Sequence, residues 1–299
     1  MNNEKIRICY LVQAYSDYQA FKYLIERLLN EDASMIFVHL DSKSDLDKFF
    51  VENEKVIFIE NREFVSWAGF HQGKLILNLI EAAVNYQEQF DLYCFISESD
   101  FPVYESSRFL ESIINCKNIM LNCSKHQPRK IEKYWFFDFN IKSVNVNKIL
   151  NKIINGLSEL LYNLKILRKP SKLVINDELV DVYFSSPFWK YNYNQIKYIN
   201  NTYKSNPSIE KYFRYSFASC ELIVPTIIAN SMYRDELIFV DKYINLNHLS
   251  GMCYFKYTGP RVDVLTLEDY DEIIKSNKPF IRKVNRFKSK ELLEKLKEL

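Results

Sequence analysis

The chemistry open to this chain rests on a few carboxylates and cations at the ends of apolar runs. In "CFISESDFPV" (Cys94 to Val103) an apolar stretch stops at Glu98-Ser99-Asp100. Two carboxylates spaced i, i+2 after a buried strand could ligate a divalent ion, hold a sugar hydroxyl or finish a turn. Oxygen ligands suit Mg²⁺ or Mn²⁺, which would neutralise a diphosphate leaving group. Asp41 ends "IFVHLD". A carboxylate there could accept hydrogen bonds from a ribose or sugar diol, or cap the amides of its own turn. Glu221 stands just before the apolar run "LIVPTIIA", where it gains from the positive end of a helix dipole. An ionised Glu in a cleft is a competent general base; ordinary N-terminal helix charge has the same signature. "KPFIRKVNRFK" sets Arg282 and Lys283 in an apolar stretch, with Phe280 and Val284 facing the core. With Arg261 upstream these cations could clamp a pyrophosphate, although Lys278, Arg286 and Lys288 also make a plain basic stripe. "HQPRKIEKYW" groups Arg129, Lys130 and Lys133 with Tyr134 and Trp135, a mixture found in carbohydrate sites and in solvated loops alike.

Composition removes several alternatives. The net charge of +2 over 299 residues argues against a general nucleic-acid binder, which carries a strong basic excess. Only 5 glycines occur, with no GxGxxG and no GxxxxGK[ST], so any nucleotide must be held by side chains or other turns. The histidines His39, His71, His126 and His248 do not pair at metal-ligand spacing, and no zinc site is expected. None of the 6 cysteines forms a CxxC pair; free thiols in a reducing cytoplasm are expected. Met1 to Lys5 is short and polar, unlike a signal peptide. No apolar run approaches the roughly 20 residues of a membrane span.

These residues need elements to position them, and hydrophobic residues at 47% can fill a core. "IRICYLVQAY" reads as a buried first strand. Asp17 can cap a helix over 18–30, with Phe21, Leu24, Ile25 and Leu28 on one face. "SMIFVHLD", "KVIFIE", "DLYCFIS" and "NIMLNC" read as further strands, with helices over "GKLILNLIEAAVNY" and 107–114 between them. Continuous apolar strands alternating with helices imply an α/β fold with a mostly parallel central sheet covered on both faces. In such sheets ligands sit beyond the carboxyl ends of the strands, where Tyr15, Asp41, Glu98 and Asp100 fall. The Asn- and Lys-rich stretch around 141–172 reads first as an inserted helical excursion; the sharper alternative is a basic amphipathic face on a membrane. A helix is expected around 195–204, a Thr266/Asp269 capping box should open "TLEDYDEIIKS", and 286–299 should form a charged amphipathic helix.

The order of these segments resembles the core-2/I-branching β-1,6-N-acetylglucosaminyltransferase and peptide-O-xylosyltransferase family, from about Ile6 to Asn285. "YLVQAY" is similar to its opening strand and "FVHLDSKSD" to its "HxD" strand end. "FVSWAGFHQGKLILNLIEAA" is similar to its Trp-containing segment, and "FISESDFPV" to "LSGxDxP". Further on, "RKIEKYWF" looks like the segment approaching the acceptor, "FSSPFW" stands where "GSxWW" is usual, "ASCELIV" where "PDE" is, and "FIRKVN" resembles "FARKFD".

The resemblance implies a single GT-A-like domain and inverting transfer from a UDP-sugar, UDP-GlcNAc first, to a glycan or lipid-linked oligosaccharide in bacterial-type surface polysaccharide synthesis. It implies that Glu221 is the catalytic base, that Asp41 contacts the nucleoside, and that Lys283, with Arg261 as a looser match, contacts the diphosphate. Tyr15, Asp100 and Arg282 join the donor set; Glu98, Arg129, Lys130, Lys133 and Trp189 form the acceptor set. It also implies that cations replace a metal at the leaving group: no cofactor is required, and Mg²⁺ or Mn²⁺ at Glu98/Asp100 is the alternative. The nucleotide-sugar half is expected over 1–125 and the acceptor half over 126–285. The expected location is the cytoplasm, with the basic excursion and tail offering contact with the inner face of the plasma membrane. In this chain "PDE" has become Ser219-Cys220-Glu221 and "GSxWW" has become Ser185-Ser186-Pro187-Phe188-Trp189. A third departure, Tyr243-Ile244-Asn245-Leu246 where "YIDW" is usual, lies with them in the acceptor half, and the altered "PDE" and "GSxWW" segments motivate a competing reading as a non-catalytic sugar-nucleotide or glycan-binding protein.

Overall fold

The computed structural model describes residues 6–31, 33–137, 144–259 and 261–298. The polar start 1–5, the first residues of the expected excursion (141–143) and Leu299 of the expected tail helix lie outside the described residues.

The strands are β1 (Ile8–Ala14), β2 (Met35–Leu40), β3 (Val56–Phe58), β4 (Leu92–Ser97), β5 (Asp100–Pro102), β6 (Ile119–Asn122), β7 (Lys172–Ile175), β8 (Glu178–Asp181), β9 (Tyr183–Phe184), β10 (Lys190–Tyr191), β11 (Ile238–Val240), β12 (Cys253–Phe255) and β13 (Phe280–Arg282). The central sheet runs β10-β4-β1-β2-β3. Its first four consecutive strands in sequence that pair side by side, β4, β1, β2 and β3, are parallel, and β10 adds an antiparallel edge beside β4. β1, β2 and β4 are almost wholly buried, as strands covered on both faces must be. Two three-stranded sheets, β11-β6-β9 and β12-β13-β5, and the β7-β8 hairpin complete the fold. This is the mixed α/β class read from the sequence.

The helix Tyr18–Asn30 starts where Asp17 accepts the Ala20 N–H at 3.0 Å, and it buries Phe21, Leu24, Ile25 and Leu28. Helix Phe70–Val84 opens three residues earlier than its apolar run suggests and buries most of its length, including Gly73 and Asn78. The Thr266/Asp269 capping box forms, followed by helix Tyr270–Ser276, and the tail contains helix Lys290–Leu296. Helix Val144–Asn163 occupies the excursion. Among the described residues, no helix is long and apolar enough to cross a membrane.

Candidate functional site

Sheet register assembles the first part of the site. Gln13 lies between His39 of β2 and Ser97 of β4. The next residues therefore leave the sheet together: Asp41 N–H donates to Ala14 O (2.9 Å) and Glu98 N–H to Gln13 O (2.8 Å). Tyr15, Asp41 and Glu98 thus share the carboxyl edge of the sheet, as expected.

At that edge Glu98 is engaged by the chain's own backbone. Its buried carboxylate accepts the N–H groups of Tyr15 (2.6 Å), Ser16 (3.1 Å) and Asp17 (3.1 Å), and the Ser16 hydroxyl (3.1 Å). Those amides open helix Tyr18–Asn30, whose positive end commonly receives an anion. Here the chain's own carboxylate fills that place. Burial raises the Glu98 pKa and the amide bonds pull it back only in part. Asp41 is likewise engaged in its turn, accepting the Lys43 N–H at 2.9 Å, with the Lys43 ammonium 3.2 Å from its other oxygen.

Asp100 is paired by strand register. β13 runs antiparallel to β5, which places Arg282 opposite Asp100. The guanidinium donates to Asp100 Oδ1 at 2.7 Å and to Ser99 Oγ at 3.1 Å, and Asp100 Oδ2 accepts the Ser97 N–H at 2.8 Å. Asp100 is fully buried, and its charge holds Arg282 protonated well above the usual range despite burial. Glu98 is thus engaged by amides, and Asp100 by Arg282 and the Ser97 N–H. Lys283 follows, half-buried, its ammonium 6.0 Å from the centre of the Tyr15 ring. Arg261 is exposed in the turn closed by the Tyr257–Val262 bridge, two residues before the Asp263 carbonyl that accepts the Lys283 N–H at 3.3 Å.

Glu221 ends a short 3₁₀ turn, Ser219–Glu221, that leads into helix Ile223–Ala229. The turn is bolted to helix Phe70–Val84. Ser219 Oγ donates toward the Gly69 and Phe70 carbonyls (3.1 Å each) and accepts the Gly73 N–H at 3.2 Å. Gly73 is needed for that approach, because a Cβ there would lie 2.7 Å from Ser219 Oγ and 2.8 Å from Ile223 Cδ1. The Glu221 carbonyl accepts the Ser185 N–H at 3.1 Å. Its carboxylate Oε2 accepts from the Lys130 ammonium at 2.7 Å, and that ammonium sits 3.4 Å above the Phe184 ring.

The basic-aromatic cluster divides. Lys130 reaches Glu221, whereas Arg129 and Lys133 both pair with Glu159 of helix Val144–Asn163, Lys133 at 2.7 Å. Lys133 is buried, its ammonium 3.7 Å above the Trp135 ring. A cavity of about 550 Å³ opens beside Lys130, lined by Arg129, Trp135, Tyr162, Phe184, Phe217 and Tyr243 among others. Trp189, expected against an acceptor, is a core residue instead. It is buried just before β10, between Phe95 (5.8 Å) and Tyr191 (4.9 Å). The residue before it, Phe188, carries the contact that sequence reasoning missed: its ring lies 4.9 Å beneath the Arg282 guanidinium. Phe217 and Tyr243 were not singled out as cavity walls; Phe217's sequence signal was an aromatic ring close to Glu221, and Tyr243's was its place at the start of the segment standing where "YIDW" is usual.

Segment 185–188 therefore links the two charged centres. Ser185 binds the Glu221 backbone and Phe188 supports Arg282, and three residue steps span at most about 11 Å. Tyr257 registers both: burial pushes its phenol up to about 12, with Glu221 adding and Arg282 opposing. The structure pairs Glu221 with Lys130, and Arg282 with Asp100, while Lys283 lies near Tyr15; Trp189 is in the core and Arg261 is exposed.

No curated protein sequence matches the chain. Among solved structures it is similar to a putative glucose-1-phosphate thymidylyltransferase from Bacillus anthracis in complex with a sucrose. That match has 11% identity and a TM-score of 0.37, and covers 79% of this chain and 87% of that one. It is also similar to HddC from Yersinia pseudotuberculosis, at 17% identity and a TM-score of 0.25, covering 44% of this chain and 65% of that one. Residues 8–233 match the Core-2/I-Branching enzyme family, and the chain belongs to that family of glycosyltransferases.

Proposed function

We propose that this glycosyltransferase works by inversion, moving a sugar, GlcNAc first among candidates, from a UDP-sugar to a hydroxyl of a glycan or lipid-linked oligosaccharide. The acceptor oxygen attacks the anomeric carbon while the bond from that carbon to the UDP oxygen breaks. Glu221 takes the hydroxyl proton as general base. Arg282 and Lys283 receive the negative charge that develops on the departing UDP, in place of a metal. Residues 1–125 supply most of the donor side, with Tyr15 and Asp41 at the sheet edge; residues 126–285 supply the base, the cations and the acceptor cavity.

The observation that carries this reading is the link through segment 185–188 between a carboxylate with one engaged oxygen and a half-buried guanidinium that rests on Phe188. Lys130 holds Oε2 of Glu221, which leaves Oε1 to meet the acceptor. The aromatic cavity next to Lys130 suits stacking on a pyranose ring. The occupied helix N-terminus favours phosphate binding by side chains, since Glu98 already takes those amides. The same contacts favour metal independence over the acidic-pair alternative.

A panel of UDP-sugars, scored for UDP release with and without EDTA, tests this reading. It expects one preferred donor and full activity in chelator. Loss of activity in EDTA with rescue by Mn²⁺ overturns the metal-independent mechanism. Binding of UDP without release from any donor, with or without acceptor, favours a non-catalytic sugar-nucleotide-binding protein.

A further inference from the structure

Helix Val144–Asn163 is amphipathic in the reverse sense of an ordinary surface helix. Its polar face is turned toward the protein. Asn155 exchanges two hydrogen bonds of 2.9 Å with the Phe136 backbone, Ser158 donates to Tyr134 O, and Glu159 pairs with Arg129 and Lys133. Its apolar face is turned outward. Ile149, Ile153, Leu157, Leu160 and Leu164 follow spacings of four, four, three and four residues along one stripe, and each is more than half exposed. Scattered exposed apolar side chains are ordinary, but a continuous row along one helix marks an interaction surface.

Charge identifies the partner. Over 144–172 the sequence has six basic residues and one acidic, Glu159, and Glu159 faces inward against Arg129 and Lys133. Lys152, Lys165 and Arg168 are exposed along the helix and the turn that follows it. A second copy docked by the same stripe would bring these cations against their own counterparts. Anionic headgroups around an apolar interior match both the cations and the stripe.

We propose that helix Val144–Asn163 lies in the surface of an anionic phospholipid bilayer, with Ile149, Ile153, Leu157, Leu160 and Leu164 in the acyl boundary. The same helix carries Tyr162, which lines the cavity, and its Glu159 holds Arg129, another lining residue. Docking brings the cavity beside Glu221 to the lipid surface, where a membrane-embedded acceptor is presented. This consequence for the acceptor rests on the transferase reading; the membrane contact does not.

Vesicle flotation without nucleotide separates the two. Wild-type protein is mixed with phosphatidylcholine vesicles with or without phosphatidylglycerol. Three cations predict a preference of roughly a hundredfold for the anionic vesicles, falling with salt. The variant I153Q/L157Q/L160Q/L164Q loses binding by a similar factor or more while its circular dichroism spectrum is unchanged. K152E/K165E loses the preference for phosphatidylglycerol, and it keeps the test decisive should the apolar variant fold poorly. The proposal is overturned if wild-type protein ignores both vesicles, or if the folded variants bind like wild type. It is also overturned if sedimentation finds a wild-type dimer that the apolar variant dissociates. Any of these leaves the UDP-release result standing on its own.

Discussion

Gly73→Ala tests whether the packing of helix Phe70–Val84 sets the position of Glu221, although position 73 touches no substrate in this account. The new methyl would start 2.7 Å from Ser219 Oγ, 2.8 Å from Ile223 Cδ1 and 3.2 Å from the Ser219 backbone carbon. The Ile223 tip can swing away. Ser219 cannot, because its hydroxyl is tied to Gly69 and Phe70 carbonyls and its backbone carbon has no rotamer. Reaching ordinary contact at about 3.4 Å requires the hydroxyl to retreat by roughly 0.7 Å (3.4 minus 2.7). Replacing Gly by Ala in a helix gains about 1 kcal/mol, while overpacking costs about 1–3 kcal/mol. The net loss of stability is therefore about 0–2 kcal/mol. Glu221 lies two residues on, and misplacing a catalytic group by about 1 Å can cost on the order of 100-fold; a loss of roughly tenfold in kcat is expected. Urea melts and UDP release under saturating donor measure the two effects. Adding Ser219→Ala removes the closest contact and recovers part of the stability. A folded Gly73→Ala enzyme with wild-type kcat would refute the claim that this contact positions the base.

Three further outcomes follow from the same geometry. Burial holds His39 neutral, with its pKa lowered from 6.5 to about 4. The stability it contributes is complete above pH 6.5 and is lost as pH falls toward 4, by roughly 3 kcal/mol in all; urea melts across this range should show a slope that His39→Gln removes, and an equal slope in both refutes it. Arg282→Met strands the buried Asp100 carboxylate, so stability should fall by about 3–5 kcal/mol and calorimetry should find weaker UDP binding; UDP affinity equal to wild type removes Arg282 from the donor set. Glu98→Gln weakens the lock on residues 15–17, so hydrogen exchange at those amides should quicken while the acceptor KM stays unchanged. A raised acceptor KM with unchanged exchange would return Glu98 to the acceptor site.

Where the sequence carries periodic burial it is read well. Asp17 and the apolar spacing of 18–30 define that helix to the residue, and strands β1, β2 and β4 fall inside their apolar runs. The sheet-edge positions of Tyr15, Asp41 and Glu98 follow from those strand ends. Partner choice was not legible, because it depends on register between distant segments. Glu98 looks from the sequence like a free carboxylate, and only the start of the first helix reveals its amide partners. Arg282 meets Asp100 across 182 positions by antiparallel pairing of two three-residue strands too short to have a pattern. "SSPFW" could not tell which of its rings is core; β10 joining the edge of the central sheet buries Trp189 and leaves Phe188 beneath Arg282. The excursion was correctly helical, but its inverted amphipathicity was hidden, since spacing identifies an apolar stripe without saying which way it faces.

The central claim is that Glu221 serves the incoming hydroxyl and not the donor. Glu221→Gln keeps the shape and can still face Lys130, so a single-turnover measurement of sugar transfer, paired with calorimetric UDP binding, isolates the base. Transfer should fall on the order of 100- to 10,000-fold while the UDP Kd stays within roughly twofold of wild type. Unchanged transfer, or UDP binding lost in step with transfer, would contradict the account.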